Sequence, residues 1–175
     1  MASLPDASTL TSLSAEEQRR VLDALFEPSP AIHALILPSI SAASFQTYDE
    51  LITHCYKIFE ALTADPSHKT ELYSIISSHP RLGAKKVESA QSAAEQAQLQ
   101  SGDATELAAL NVEYEAKFPG LRYVVFVNGR GRPEIMENMR ERILRDDLAS
   151  EERAAIQAMC DIARDRAAKL QATSR

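Results

Sequence analysis

Apolar residues recur at three- and four-residue intervals along most of the chain, the spacing of helices that bury one face. Ser14-x-x-Glu17 opens the first such run as a capping box, and Val21, Leu22, Leu25 and Phe26 carry its stripe until Pro28 and Pro30 end it. A short apolar helix over 32–37 is expected to stop before Pro38. Thr47-x-x-Glu50 starts the next, with Leu51, Ile52, Cys55, Ile58, Phe59 and Leu62 at helical spacing. Asp65-Pro66 begins a helix whose stripe of Leu72, Ile75 and Ile76 must end by His79, because a residue before proline is pushed out of the α region. Further helices start at Asp103-x-x-Glu106, at Pro133 and at Ser150, the last running through Ile156, Met159, Ala163 and Leu170.

One stretch breaks the pattern. Residues 121–127 are β-branched and aromatic, between Pro119-Gly120 and Asn128-Gly129, and locally they read as a strand. A single strand in a helical chain has no partner for its backbone, so the segment near 121–128 is expected to be extended or distorted and fully buried. Its amides then need another acceptor, either neighbouring loops or a bound ligand. The fold class that follows is all-α: one compact helical bundle of about seven or more helices, spanning 1–175, with 1–12 and 171–175 as flexible ends and no repeats or linker.

Composition narrows the function. With 45 % hydrophobic and 25 % charged residues, 175 residues suit one globular domain with a sizeable core. A net charge of −6, with basic residues scattered among acidic ones, argues against nucleic acid or an anionic membrane as partner and favours a small molecule or a protein. Cys55 and Cys160 both fall in apolar helical patterns and are expected to be buried, reduced thiols of an intracellular protein. No leader pattern and no long apolar run is present, and Thr173-Ser174-Arg175 is not an S-K-L address, so the cytoplasm or the peroxisome is the expected compartment.

The chemistry concentrates in Ser78-His79-Pro80-Arg81-Leu82-Gly83, where an imidazole stands on the rim of a helix exit beside a glycine turn. It is either a charge complement to the helix dipole or a fixed, reachable group for proton transfer. Ser92-x-x-Glu95-Gln96 is a capping box by local pattern; the alternative is a helix end offering a hydroxyl, a carboxylate and a carboxamide to a polar ligand opposite His79. His33, His54, His68 and His79 show no metal-binding spacing, and the acidic residues mostly face solvent. The loop Asn128-Gly129-Arg130-Gly131-Arg132-Pro133 reads as a turn into a proline-started helix more simply than as an anion site. A non-enzymatic helical interaction domain would account for the fold but leaves His79, Glu95 and Arg166 without a common purpose.

In order, His79-Pro80, the Ser92 to Gln96 motif, Leu110-Asn111-x-x-Tyr114-x-x-Lys117-Phe118, the run Tyr123-Val124-Val125-Phe126-Val127, and Ile162-x-x-x-Arg166 resemble the family of 2-oxo-4-hydroxy-4-carboxy-5-ureidoimidazoline (OHCU) decarboxylases of urate degradation. The resemblance implies an all-α, commonly homodimeric lyase that needs no cofactor and no metal, and that converts OHCU to (S)-allantoin. Carried over by position, His79 and Glu95 are the catalytic residues. Pro80, Ser92, Glu95 and Gln96, the backbone of Tyr123, Val124, Val125, Phe126 and Val127, and Arg166 bind substrate. Arg166 would present a fixed cation to the substrate's anionic or carbonyl oxygens.

Overall fold

Ser14 begins the first helix in the computed structural model of this chain, which describes residues 4–83, 90–97 and 104–172. Its hydroxyl accepts from Glu17 N at 3.3 Å while the Glu17 carboxylate accepts from Ser14 N at 2.9 Å, so two otherwise free donors at this helix start are satisfied reciprocally. The helix, α1 (Ala15–Phe26), is followed by α2 (Pro30–Ile40), α3 (Tyr48–Ala61) and α4 (Lys69–Ile76). Beyond them come a short α5 (Ala90–Gln96), α6 (Ala104–Lys117), α7 (Arg132–Arg145) and a long α8 (Leu148–Ala172). Among the described residues there is no strand, and the architecture is all-α.

The 25-residue α8 is the spine. Ala155, Ile156, Met159, Cys160, Ala163 and Ala167 form its buried stripe, against which α1, α3 and α4 pack, while α6 packs on α7. Alanines in the stripe let neighbouring helices approach closely. Phe26 and Phe59 meet edge to face with centroids 5.7 Å apart where α1 and α3 converge, a contact worth about 0.5–1.5 kcal/mol beyond the area it buries. Cys55 and Cys160 are buried free thiols, and loss of hydration pushes the Cys160 thiol up to about 12. Among the described residues no helix is long and apolar enough to cross a membrane.

Three expectations about local structure need correction. Pro38 does not end α2, which continues to Ile40. An interior proline costs about 3 kcal/mol, but Ile36 and Ile40 are completely buried on either side, and each such side chain contributes about 1.5–3 kcal/mol. The last helix starts before Ser150, because the Asp147 carboxylate accepts from Ser150 N at 3.0 Å and so caps a helix beginning at Leu148. The start of the chain is not loose from residue 4 onward: Ala7–Ser12 form a 3₁₀ helix, and Leu4, Ala7 and Leu10 enter the core. At the other end α8 includes Gln171 and Ala172, and 173–175 lie outside the described residues, as does Asp103 at the expected start of α6. The acidic residues that do not face solvent include Glu27, Glu151 and Glu152, which are buried beside cations.

Candidate active site

Helix α4 ends at Ile76, and the chain turns through Ser77 and Ser78 to His79, whose amide still donates to Ile76 O at 3.4 Å. Pro80 then prevents any return to the helix. Arg122 fastens this exit from across the fold, one guanidinium nitrogen donating to Ser77 O at 2.9 Å and to His79 O at 2.8 Å. Two further bonds hold the turn that follows. Asn111 donates to Leu82 O at 3.0 Å, and Gly83 N donates to the Gln96 carboxamide oxygen at 2.8 Å. Gly83 has φ +73°, and a Cβ there would stand 2.6 Å from a methyl of Leu107, so glycine is what allows the turn to lie on α6.

His79 is not on an exposed rim as the sequence suggests. It is 4 % exposed, and its Nε2 is buried without a hydrogen-bond partner among the described residues. Burial, and then the positive fields of Arg166 and Arg122, lower its pKa from 6.5 to about 3. The imidazole is therefore neutral at physiological pH, which rules out a role as charge complement to the α4 dipole.

The second wall comes from α5, and here local pattern misleads. The helix is already under way at Ala90, so Ser92 lies inside it and is not its cap. Both side chains turn instead to Arg166 of α8. The guanidinium Nε donates to Glu95 Oε1 at 2.7 Å and Nη2 donates to Glu95 Oε2 at 2.9 Å, a two-pronged pairing. Nη2 also donates to Ser92 Oγ at 2.9 Å and to Glu27 Oε1 at 2.7 Å, and Ser92 Oγ donates to Glu27 Oε1 at 2.5 Å. Burial disfavours the charge on Arg166, but the bonds and fields of Glu95 and Glu27 outweigh it and raise its pKa.

The third wall is the segment 121–127, which forms neither helix nor strand and is only partly buried: Arg122, Val125 and Phe126 are half-exposed. Full burial is thus corrected, for a physical reason. None of the amides of 122–127 donates a hydrogen bond to another described residue, and such groups are tolerated only where solvent or a ligand reaches them. The carbonyl side is better held. Arg142 donates to Val124 O at 3.1 Å and its guanidinium lies 4.7 Å from the Tyr123 ring centroid, while Glu151 accepts from Arg142 and from the Tyr114 hydroxyl, each at 2.7 Å. The turn beyond it has Asn128 and Gly129 at positive φ, with Arg130 folded back onto Phe126 O and Val127 O. That is the turn reading of the 128–133 loop.

These three walls enclose a cavity of about 330 Å³, within the range of sites for small ligands. His79, Pro80, Ser92, Glu95, Gln96 and Tyr123 through Val127 all line it, so sequence positions 79 to 127 converge on one space. Arg166 is the exception. At 2 % exposure it stands behind Glu95 and Ser92, and its charge faces two carboxylates and not the cavity. Sequence reasoning also missed Ile162, Asp165 and Lys169, which face the cavity from α8, and the supporting pair Glu27 and Arg122. The only available signal was for Glu27, a charged residue between the apolar end of α1 and Pro28.

The sequence model of the OHCU decarboxylase family matches residues 11–168, which take in the three walls described and all of the α8 lining except Lys169. No curated protein matches the chain.

Proposed function

The chain belongs to the OHCU decarboxylase family, a family of carboxy-lyases acting in urate degradation, and from that premise we propose that it decarboxylates 2-oxo-4-hydroxy-4-carboxy-5-ureidoimidazoline to (S)-allantoin without a cofactor. The observation that carries this reading is the unpartnered, neutral imidazole of His79 in the same cavity as a carboxylate and a row of free backbone amides.

The substrate contains its own electron sink. When the bond to the carboxylate breaks, its electron pair moves into the adjacent carbon–nitrogen double bond, and a proton added to one face of the neighbouring ring carbon gives a single enantiomer of allantoin. The protein must hold the ring, move protons and keep water out. Free amides of 122–127 suit the carbonyl and ureido oxygens; Glu95, fixed by Arg166, suits ureido N–H donors. Gln96 has its carboxamide oxygen engaged by Gly83 N, so its amide donor is the end it would offer a ligand. His79 takes the hydroxyl proton and returns one to carbon. Its low basicity comes partly from Arg166 and Arg122, and an anionic substrate brought against the ring opposes that field. Proton uptake is then coupled to the arrival of the substrate's own charge.

The same premise implies a free small-molecule substrate and a homodimeric assembly. The reading is tested by adding gel-filtered, chelator-treated protein to freshly formed product of urate oxidation and hydrolysis and following optical activity. Rapid appearance of one-handed allantoin supports it. Unchanged slow decay to racemic product, or activity restored only by an added metal, overturns it.

A further inference from the structure

Among the described residues, Glu27 is the one that combines burial, a formal charge, a backbone conformation rare outside glycine and a direct bond to the candidate site. It is 4 % exposed and has φ 82° and ψ 152°, a region that is essentially restricted to glycine. A side chain is kept there only if its neighbours over-determine it, and such strain concentrates at functional sites. Here the neighbours are Arg166 Nη2 at 2.7 Å and Ser92 Oγ at 2.5 Å on the same carboxylate oxygen, while the Glu27 amide donates to Asp23 O at 3.1 Å.

We propose that Glu27 is a positioning residue for the reaction, acting through Arg166 and Ser92 on Glu95. The inference rests on the function proposed above and deepens it. Two features of the geometry carry it. First, Arg166 stands between two carboxylates, so the cluster of Glu27, Arg166 and Glu95 holds two negative charges and one positive. With Glu95 as its only partner, Arg166 would cancel that residue's charge; shared with Glu27, it leaves net negative charge in the cavity wall. A wall of that sign disfavours the bound substrate carboxylate more than the transition state in which the carboxylate charge is leaving, so it raises turnover at some expense of capture. Second, Nη2 of Arg166 bonds Glu27 as well as Glu95, whose other oxygen takes Nε, so Glu27 adds a further fixed point to the guanidinium that holds both oxygens of Glu95. A residue present only to fill the end of α1 would be better as glycine, which adopts this φ and ψ without strain.

The test uses two variants of the whole chain with the same substrate. Glu27→Gln keeps the shape and removes the charge. Glu27→Gly removes the carboxylate but relieves the backbone strain, so it separates loss of the charge from strain at this position. With helical signal and melting temperature recorded for each, kcat is expected to fall about tenfold or more in both, with KM unchanged or lower. The Gly variant should melt at least as high as the Gln variant while regaining no activity. Either folded variant with kcat within about twofold of the wild type overturns the proposal, as does activity that recovers in step with melting temperature. Failure of the parent reading is distinct, for then the wild type itself would not turn over this substrate.

Discussion

Arg166 meets Glu95 along one edge of its guanidinium, Nε to one carboxylate oxygen at 2.7 Å and Nη2 to the other at 2.9 Å. The two residues are brought together from α8 and α5, and the pairing converts what looks like a helix cap into part of a cavity wall. A planar fork of this kind transmits orientation as well as charge, so the position of Glu95 depends on a residue that itself does not face the cavity.

Arg164 and Arg166, two residues apart on α8, point about 200° apart, and their variants should differ sharply. Arg166→Ala leaves Glu27 and Glu95 facing each other without a cation, and removal of one partner from a buried network costs about 3–5 kcal/mol of stability. Turnover should collapse as well. Arg164 is half-exposed and paired with Asp49 and Asp161, so its alanine variant should lose about 0–1 kcal/mol and keep its kinetics. Thermal melts and steady-state rates of the two variants check this; equal effects would contradict the register of α8.

Glu95→Gln separates a cap from a working carboxylate. A glutamine serves a capping box almost as well as a glutamate, so a cap would leave the enzyme unaffected. In this structure the change opposes an amide N–H to Arg166 and removes a charge-assisted pair worth about 1.5–3 kcal/mol. Turnover should fall about tenfold or more, a loss of at least 1.4 kcal/mol, with the helical signal intact. Wild-type turnover would return Glu95 to a purely structural role.

Acid stability reports on His79 directly. Its pKa is lowered from 6.5 to about 3 by burial, Arg166 and Arg122, so between those values the unfolded chain binds a proton that the folded chain does not. Stability contributed by the neutral ring is present above pH 6.5 and is lost as pH falls towards 3. His79→Asn removes this contribution, so its melting temperature should decline less steeply than that of the wild type between pH 6.5 and 4. Parallel curves would mean that the ring is not held neutral.

Gly83 and Gly129 both have positive φ, but only the first is crowded. Gly83→Ala drives a Cβ to 2.6 Å from Leu107, whereas nothing lies within 4 Å of a Cβ at Gly129. The conformational cost is about 1–2 kcal/mol at either site; the clash adds to it at Gly83 and disturbs the turn that carries His79. Melting temperature and activity should both fall further for Gly83→Ala than for Gly129→Ala.

Much of this was legible in the chain because its helices obey local rules. Ser14 with Glu17 and Thr47 with Glu50 cap where their patterns say, whereas Asp65 caps a short 3₁₀ turn, Pro66–His68, ahead of α4; the apolar stripes of Leu51 to Phe59 and of Ile156 to Leu170 are the ones buried. His79 was legible because proline fixes where α4 stops. What was not legible is long-range. Ser92 and Glu95 satisfy a local capping pattern, yet 139 positions separate Glu27 from Arg166, and no local pattern announces that all four share one network. Pro38 shows the same limit, since burial of Ile36 and Ile40 overrides a local breaker. The break in helical pattern at 121–127 was legible from composition, but the segment's half-exposure depends on the cavity beside it.

The most direct test of the account compares the wild type with His79→Asn in the formation of optically active allantoin from freshly made substrate. Asparagine keeps a hydrogen-bonding side chain and removes proton transfer. The account predicts one-handed product from the wild type and a loss of roughly two to four orders of magnitude in the variant, the scale of a general acid or base, with the helical signal unchanged. Near-normal, equally stereoselective turnover by His79→Asn would contradict it.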